Sequence, residues 1–277
     1  MQKNYPLLFS IDHSFAEQLQ TTLYSIFMNS SQSFDIYILH TDLSEEIQRF
    51  LESFCGRYGS NISFISIPES YFSDAPSSSR YPKAIYYRLL AHEFLPKDLT
   101  KILYLDADIL CINDLTSIFN YDLGSYLYAG CSHPSMTGMS RAMNKLRLKT
   151  YGNDGYFNSG VLLINLDQVR KIVDKQAIYT FIKDNEKQLV LPDQDILNGL
   201  YGHLIYALDD QIWNYDVRYT HTYYLMSNKQ TTLDWVMQHT VFLHFCGKEK
   251  PWDHHYEEKF AALYKHYQVK SKELRKL

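Results

Sequence analysis

The stretch Ile102–Leu110, ILYLDADIL, places two carboxylates inside an otherwise apolar segment. Apolar residues precede Asp106 and follow Asp108, and such a run is typical of a strand buried on both faces. Residues i and i+2 of a strand point to the same side, so both carboxylates are expected to face one spot. Two carboxylates this close repel each other, which calls for a shared proton, a basic side chain or a metal ion. The simpler alternative is that one aspartate caps a turn and the other faces water.

The hundred residues before this stretch alternate between strand-like and helix-like patterns. The predicted segments are strands at 5–11, 34–41 and 61–68, helices at 15–30, 43–59 and 83–96, and a polar loop at 73–82. This alternation predicts an α/β fold with a mostly parallel central sheet flanked by helices. Ligands of such sheets bind beyond the carboxyl ends of the strands, where Asp12, Asp106 and Asp108 would share one crevice.

The second half of the chain is less regular. It contains predicted strands at 156–166 and 240–247 and predicted helices at 167–184, 191–202 and 257–268, with Asp193 as a candidate N-cap of the second of these helices. We find no internal repeat and no linker. The sequence therefore predicts one catalytic domain, residues 1–256, followed by a basic amphipathic extension, residues 257–277.

This extension carries an apolar stripe, and its basic residues far outnumber its acidic ones after Lys259. The stripe consists of Phe260, Leu263, Tyr264 and Tyr267. A basic amphipathic helix with aromatic residues can lie on an anionic membrane surface, which would give peripheral contact with the membrane. The alternative is that the stripe packs on the catalytic domain and only the final basic residues face solvent or membrane.

Composition excludes several classes of protein. The formal net charge is −4 and there is no long basic run before the last twenty residues, which argues against nucleic acid as a partner. The four cysteines are scattered without a C-x-x-C pair, so neither a zinc site nor a disulfide framework is predicted. No apolar run approaches the ~18 residues of a membrane span, and the N-terminus lacks the apolar segment of a signal peptide. A reduced, cytoplasmic chain is expected.

A third metal ligand is available in VFLHFCGKEKPW, where His244 ends an apolar run and Lys250 follows in a glycine-containing loop. One imidazole with two carboxylates suits manganese better than calcium. The simpler alternative is a core histidine bonded to backbone. Because the chain has neither G-x-G-x-x-G nor G-x-x-x-x-G-K-[ST], a bound diphosphate would need neutralisation by a metal and Lys250.

Six stretches of the chain match the motifs of one known protein family, and they occur in the same order as in that family. They are LLFSIDHSF, YYRLLAHEFLP with KILYLDADIL, YFNSGVLLINL, LPDQDILNGLYG, IWNY and HFCGKEKPW. Together they resemble the family 8 retaining glycosyltransferases, especially the bacterial galactosyl- and glucosyltransferases that act on lipopolysaccharide and other surface glycans. The resemblance implies a GT-A fold, the Rossmann-like fold of nucleotide-diphospho-sugar transferases. It also implies a UDP-hexose donor and Mn²⁺, or Mg²⁺ in its place.

The same resemblance implies roles for individual residues. Metal ligands would be Asp106, Asp108 and His244. Donor contacts would come from Asp12 and Phe15 at the uracil, Arg88 and Asp106 at the sugar or diphosphate, and Gly247 and Lys250 at the diphosphate. Catalytic positions would be Asn158 near the sugar or acceptor, Asp193 at the sugar hydroxyls and Gln194 beneath the anomeric carbon.

Each of these residues also has a simpler structural interpretation. Arg88 would pair with Glu93 or another surface carboxylate, Asn158 would satisfy a buried turn, and Gln194 would be an ordinary first-turn residue. The chain also departs from the family pattern after Asp12. Relatives often continue Asp-Asn-Tyr, whereas here Phe15 is available to stack on uracil without a hydroxyl group.

The predicted function is retaining transfer of glucose or galactose from a UDP-sugar to a glycan, glycolipid or glycoprotein. Same-face attack is favoured over double displacement, because the neutral amide of Gln194 is a poor nucleophile. One alternative is a haloacid-dehalogenase-type phosphatase, which also carries D-x-D after an apolar strand, although Leu110 stands where that motif has Thr or Val. The other is a non-catalytic protein that binds nucleotide sugars.

Overall fold

A computed structural model describes residues 4–72, 85–132 and 155–274 of the chain. The predicted polar loop at 73–82 and the last three residues of the basic tail, 275–277, lie outside the described residues. No helix in the described ranges is both long and apolar enough to cross a bilayer.

The strands form a large sheet and a small one. They are β1 Tyr5–Ser10, β2 Phe34–His40, β3 Asn61–Ser66, β4 Lys101–Leu105, β5 Ile109–Cys111, β6 Tyr128–Cys131, β7 Val161–Asn165, β8 Ile205–Leu208, β9 Tyr215–Asp216 and β10 Phe242–His244. The large sheet has seven strands in the order β3-β2-β1-β4-β7-β6-β8, and β7 runs antiparallel to both of its neighbours. All other pairings in it are parallel, which confirms the predicted α/β fold with a mostly parallel sheet.

The small sheet has the order β5-β10-β9 and was not predicted. It arises because ILYLDADIL is not one strand: β4 ends at Leu105, the chain turns at Asp106–Asp108, and β5 begins at Ile109. The hydroxyl of Thr22 holds this turn by donating to the carbonyl oxygens of Ala107, at 2.9 Å, and Ile109, at 2.8 Å. The two aspartates therefore lie at the junction between the two sheets.

Helices cover the sheet and extend beyond it. The α-helices are α1 Ala16–Asn29, α2 Glu45–Gly56, α3 Ile85–Leu89, α4 Leu166–Ile172, α5 Lys175–Asn185, α6 Pro192–Tyr201, α7 Asp210–Trp213, α8 Thr220–Met226, α9 Leu233–His239 and α10 Ala261–Glu273. Short 3₁₀ turns occupy His13–Phe15, Glu69–Phe72, Ala91–Glu93, Thr116–Asn120, Gly202–Leu204 and Val217–Tyr219.

Two predicted helices are each interrupted. The segment predicted as one helix at 167–184 is divided between α4 and α5, because Asp174 is extended and its carboxylate accepts from the Ala177 N–H at 2.7 Å as the N-cap of α5. The described part of the predicted helix at 83–96 is α3 followed by the 3₁₀ turn Ala91–Glu93.

The core lies on both faces of the large sheet, as the alternation of strand residues requires. Leu7 and Phe9 of β1 face one apolar cluster together with Leu19 and Leu23 of α1, whereas Leu8 faces the other cluster. All five side chains are fully buried. A third cluster lies between the small sheet and α10.

The C-terminal helix α10 packs against α1. Tyr264 is fully buried, and the buried Gln20 of α1 donates to the backbone carbonyl of Ser271 at 2.6 Å. Tyr267 accepts a hydrogen bond from Asn29 at 2.9 Å. The apolar stripe of the extension therefore contacts the rest of the protein, which is the alternative that the sequence had left open.

Candidate active site

The turn between β4 and β5 brings both aspartates next to His244. β10 pairs antiparallel with β5 so that His244 lies opposite Ile109. The backbone of the turn is fixed from two sides, since the Asp106 N–H donates to the Gly160 carbonyl at 2.9 Å and the Phe245 N–H donates to the Asp108 carbonyl at 3.1 Å. Asp106 follows β4, Asp108 precedes β5 and His244 ends β10, so three different strands position the three side chains.

Asp106, Asp108 and His244 form a group suited to a divalent cation. One ligand atom from each residue lies within 4.8 Å of the others. His244 Nε2 is 3.2 Å from Asp108 Oδ1 and 3.9 Å from Asp106 Oδ2. Asp108 Oδ1 is buried and, apart from the nearby His244 Nε2, meets no hydrogen-bond donor among the described residues, so an acceptor atom is available for a cation. Two carboxylates and one imidazole form a ligand set that fits Mn²⁺ or a similar ion.

Lys250 completes one side of this group. Its ammonium donates to Asp108 Oδ2 at 2.5 Å and to the Phe245 carbonyl at 2.9 Å. The lysine therefore brings a positive charge directly to the candidate metal site, as the sequence predicted for the neutralisation of a diphosphate.

Arg88 joins the acidic pair to the start of α6. Its guanidinium lies 3.0 Å from Asp106 Oδ1 and 3.0 Å from Asp193 Oδ2, and it donates to Ser159 Oγ at 3.1 Å. It also lies 4.8 Å from the ring centre of Tyr104, whose hydroxyl donates to Asp106 Oδ1 at 2.7 Å. The alternative pairing of Arg88 with Glu93 is therefore wrong, since the arginine bonds two carboxylates of the cleft.

The prediction that Asp193 caps α6 is also wrong. The N-cap is Leu191, which has no side-chain cap, and the N–H groups of Val190 and Leu191 donate to Asp195 instead. Asp193 instead accepts from Ser159 Oγ at 2.8 Å and pairs with Arg88. Its carboxylate is thereby directed to the same cluster as Asp106.

Asn158 and Gln194 lie on the same side of the site. Asn158 Nδ2 donates to Gln194 Oε1 at 3.3 Å, while Asn158 Oδ1 accepts from the Gly160 N–H at 2.8 Å. Asn158 does satisfy a local turn through Gly160, but its amide also reaches the helix that carries Gln194. Asn158 is in turn joined to His244 through hydrogen bonds of Asn214, so Asn158 and Gln194 both belong to the site that contains the candidate metal ligands.

A cleft of about 270 Å³ opens beside the two aspartates and Arg88, and its lining does not include His244, Asn158, Asp193 or Gln194. Its lining among the described residues is Ser10, Ile11, Asp12, Phe15, Thr41, Tyr87, Arg88, Asp106, Ala107, Asp108 and Lys250. Asp12 Oδ1 accepts from the Ser14 N–H at 2.8 Å and from the Ser14 hydroxyl at 2.6 Å, which orients its carboxylate at the end of β1. The ring of Phe15 meets Trp252 edge-on, with centroids 6.0 Å apart.

Gly247 lies outside the lining of this cleft. It has a φ of +99°, a left-handed conformation that favours glycine. A methyl group on Gly247 would lie 3.1 Å from an Nη1 atom of Arg218. The loop that joins His244 to Lys250 therefore passes beside Arg218, whose guanidinium is bonded to the buried Asp216 at 2.6 Å.

Neighbouring charges favour the ionised forms of Arg88 and Asp108. Burial opposes the charge on Arg88, but Asp106, Tyr104 and Asp193 outweigh it and raise the pKa of the guanidinium. Burial alone would raise the pKa of Asp108, yet His244 and Lys250 hold it below its usual range. Asp108 is therefore a carboxylate, which is the form that binds a cation.

Four residues that contribute to this geometry were not assigned roles from the sequence: Tyr104, Ser159, Gly160 and Asn214. Asn214 is fully buried and contacts both His244 and Asn158. All four belong to KILYLDADIL, YFNSGVLLINL or IWNY, stretches already recognised as motifs. The sequence does not show which way each side chain points, so their contacts were not predictable.

The mostly parallel sheet flanked by helices is the GT-A fold, which solved glycosyltransferase structures share. A crystal structure of the galactosyltransferase LgtC with donor and acceptor sugar analogues has the same fold, with a TM-score of 0.78 and 24% identity over 96% of this chain and 95% of that chain. The sequence model described as "Glycosyl transferase family 8" matches residues 6–255, and the chain belongs to this family.

Sequence relatives agree with this assignment. The chain is 28% identical to a lipopolysaccharide 1,2-glucosyltransferase of Escherichia coli over 255 aligned residues. The aligned region covers 91% of this chain and 74% of the relative. It is 26% identical over 268 residues to general stress protein A of Bacillus subtilis, covering 92% and 90% respectively. Family membership confirms the predicted glycosyltransferase and removes the phosphatase alternative.

Proposed function

We propose that the protein transfers glucose or galactose from a UDP-sugar to a hydroxyl of a carbohydrate acceptor, with retention of anomeric configuration. The observation that carries this proposal is the convergence of Asp106, Asp108 and His244 within 4.8 Å, beside a cleft that both aspartates and Lys250 line. This arrangement suits a leaving group that carries several negative charges.

The metal site would hold Mn²⁺, or Mg²⁺ in its place, on Asp106, Asp108 and His244. When bound, such an ion would neutralise the diphosphate and stabilise its departure from the sugar. Lys250 adds a second positive charge next to Asp108, and it would pair with the departing diphosphate.

The donor base would occupy the part of the cleft near Asp12 and Phe15. Asp12 has one carboxylate oxygen bonded to Ser14, and the carboxylate can accept a further hydrogen bond from a uracil N–H. Phe15 offers a ring that would stack on the base. Gly247, which adopts a left-handed backbone, would contact the diphosphate through the loop between His244 and Lys250.

The sugar would lie near Arg88, Asp193, Asn158 and Gln194. Asp193 and Arg88 already pair with each other at 3.0 Å, so each can bind sugar hydroxyls from a fixed position. Gln194 would lie beneath the anomeric carbon, and its hydrogen bond from Asn158 at 3.3 Å supports a defined orientation of its amide.

Retention by same-face attack agrees with the side chains available. Asp195 is fully buried and accepts from Tyr156, Val190 and Leu191, so it is not placed to act as a nucleophile. Asp193 is held by Arg88 and Ser159, and Gln194 has only a neutral amide. The leaving phosphate would then assist in deprotonating the acceptor hydroxyl on the same face of the sugar.

A panel of UDP-sugars tests this function. UDP release is measured with Mn²⁺ for UDP-glucose, UDP-galactose and their N-acetylated counterparts, with thermal stabilisation as the readout of binding. We expect turnover with UDP-glucose or UDP-galactose and none in EDTA. Thermal stabilisation without UDP release, even with simple glycosides as acceptors, would instead indicate the non-catalytic nucleotide-sugar-binding alternative.

The stereochemistry of the product provides a second test. With an α-linked UDP-hexose and a methyl glycoside as the acceptor, the new linkage should be α. The coupling constant of the anomeric proton in NMR distinguishes the two linkages, and a β-linked product would rule out the retaining assignment.

A further inference from the structure

A chain of side-chain amides joins His244 to Gln194. His244 Nδ1 lies 2.8 Å from Asn214 Oδ1, and Asn214 Nδ2 donates to Asn158 Oδ1 at 3.0 Å. Asn158 Nδ2 in turn donates to Gln194 Oε1 at 3.3 Å. Asn214 is fully buried, so solvent does not compete for either of its bonds. Three hydrogen bonds therefore connect the candidate metal ligand to the residue expected beneath the anomeric carbon.

The backbone N–H of Gly160 determines the direction of every bond in this chain. It donates to Asn158 Oδ1 at 2.8 Å, and a backbone N–H is always a donor. Asn158 must therefore present its oxygen to Gly160 and its NH₂ group to Gln194. Asn214, which meets the same oxygen of Asn158, must present its own NH₂ group there.

The consequence for His244 is a defined tautomer. With its NH₂ group committed to Asn158, Asn214 presents its oxygen to His244 Nδ1, so in the neutral imidazole Nδ1 carries the proton. Nε2 then keeps its lone pair, and Nε2 is the atom that lies 3.2 Å from Asp108. The ring is thereby oriented to bind a cation together with the two aspartates.

We propose that Asn214 is a positioning residue for both halves of the site: it holds His244 ready for a divalent cation and aligns Asn158 with Gln194. This inference rests on the proposed metal-dependent function. Second partners of metal-bound histidines typically alter metal affinity or activity by about 10- to 100-fold when they are replaced.

Two variants of Asn214 separate its two hydrogen bonds. Asn214→Asp has nearly the same shape and keeps an oxygen for His244, but it replaces the NH₂ group that serves Asn158. Asn214→Leu removes both bonds. Asn113→Leu is the matched control, because Asn113 also makes two amide hydrogen bonds, to the carbonyls of Met237 at 3.0 Å and Thr240 at 2.7 Å, and does not line the cleft.

The measurements are Mn²⁺ affinity by calorimetry without nucleotide, and kcat and KM for UDP-sugar hydrolysis. We expect Asn214→Leu to weaken Mn²⁺ binding by about 10- to 100-fold and to lower kcat as well. Asn214→Asp should bind Mn²⁺ about as tightly as the unmodified protein and yet lose kcat with little change in KM. Asn113→Leu should lose thermal stability and retain both Mn²⁺ affinity and kcat.

Wild-type Mn²⁺ affinity in Asn214→Leu would overturn the proposal, as would equal losses of Mn²⁺ affinity in Asn214→Asp and Asn214→Leu. Should Asn214→Leu fail to fold, Asn214→Asp decides alone: a loss in both affinity and kcat, or in neither, overturns it. Absence of Mn²⁺ binding by the unmodified protein is a separate result, because it would refute the proposed metal site itself.

Discussion

Gly160 offers the sharpest steric test of the site. A methyl group in place of its hydrogen would lie 2.6 Å from Asp106 Oδ2 and 3.1 Å from Asn158 Oδ1, and closer still to His244 Cε1. Asp106 alone would have to retreat by about 0.8 Å to reach the 3.4 Å of an ordinary contact. Since His244 is buried and bonded to Asn214, and Asp106 is held by Arg88, neither side chain can move freely.

We therefore predict that Gly160→Ala lowers kcat/KM on the order of 100-fold, the effect typical of a displacement near 1 Å in an active site. Overpacking should also cost about 1–3 kcal/mol of folding free energy. The assays are Mn²⁺-dependent UDP-sugar hydrolysis, Mn²⁺ calorimetry and chemical unfolding. Mn²⁺ affinity should fall with activity, because two ligands of the metal are displaced.

Gly199→Ala is the matched control. A methyl group on Gly199 would lie 2.8 Å from Phe181 Cε2 and 3.0 Å from Cε1, a comparable overlap away from the metal group. This variant should retain Mn²⁺ affinity and kcat even where it loses stability. If Gly160→Ala kept both at the level of the unmodified protein, the close packing of His244, Asp106 and Gly160 described above would be refuted.

Three further predictions concern other parts of the molecule. Arg88→Lys should lower kcat/KM by about 10- to 150-fold, because a lysine ammonium cannot bridge Asp106 and Asp193 and one charge-assisted bond worth about 1.5–3 kcal/mol is lost. Steady-state kinetics would measure this loss, and the melting temperature should be preserved. Burial, together with two nearby cations, lowers the pKa of His92 from 6.5 to about 4 in the folded protein. Between pH 6.5 and pH 4 the unfolded chain therefore binds a proton at His92 that the folded protein does not bind. The free energy of unfolding should fall by up to about 3 kcal/mol as the pH drops through this range. Denaturant titrations at pH 7 and pH 4 should show a smaller loss of unfolding free energy in His92→Asn than in the unmodified protein. An equal loss in both would contradict the role of His92 in this pH dependence. Deleting residues 268–277 removes the Ser271 carbonyl from the buried Gln20 and should cost about 1–3 kcal/mol while UDP-sugar hydrolysis at 25 °C persists. The same deletion should reduce sedimentation with anionic vesicles at low salt, and absence of vesicle binding by the full chain would exclude peripheral attachment through this tail.

Local hydrophobic patterns were sufficient to predict β1 to β4 and β7 of the large sheet and helices α1 and α2, whereas β6 and β8 were not predicted. Leu19, Leu23 and Ile26 recur on one face of α1, and all three are fully buried in the structure. α2 begins where the sequence offers a preferred N-cap residue, since Ser44 Oγ accepts from the Ile47 N–H at 3.4 Å. A metal group of Asp106, Asp108 and His244 was also predicted, but the structure brings His244 to the aspartates through the small sheet, in which β10 pairs with β5.

The small sheet and the hydrogen-bond chain were not predictable. β10 lies within the predicted strand at 240–247, but β5 and β9 are only two or three residues long, too short to show a periodicity, and β5 pairs with β10 more than a hundred residues away. The break between α4 and α5 depends on Asp174, which was interpreted as part of a helix although aspartate is a preferred N-cap. Asn214 gave no signal of its contacts, because its neighbours are apolar and its two partners lie far away in the sequence.

The most direct test of the proposed function is the dependence of UDP binding on the metal group. Calorimetry would measure UDP affinity with Mn²⁺ and with EDTA, for the unmodified protein and for Asp106→Ala, Asp108→Ala and His244→Ala. We predict that Mn²⁺ strengthens UDP binding in the unmodified protein and that each variant loses this effect while remaining folded by circular dichroism. UDP affinity that is insensitive to EDTA and unchanged in all three variants would contradict the proposed metal-dependent UDP site.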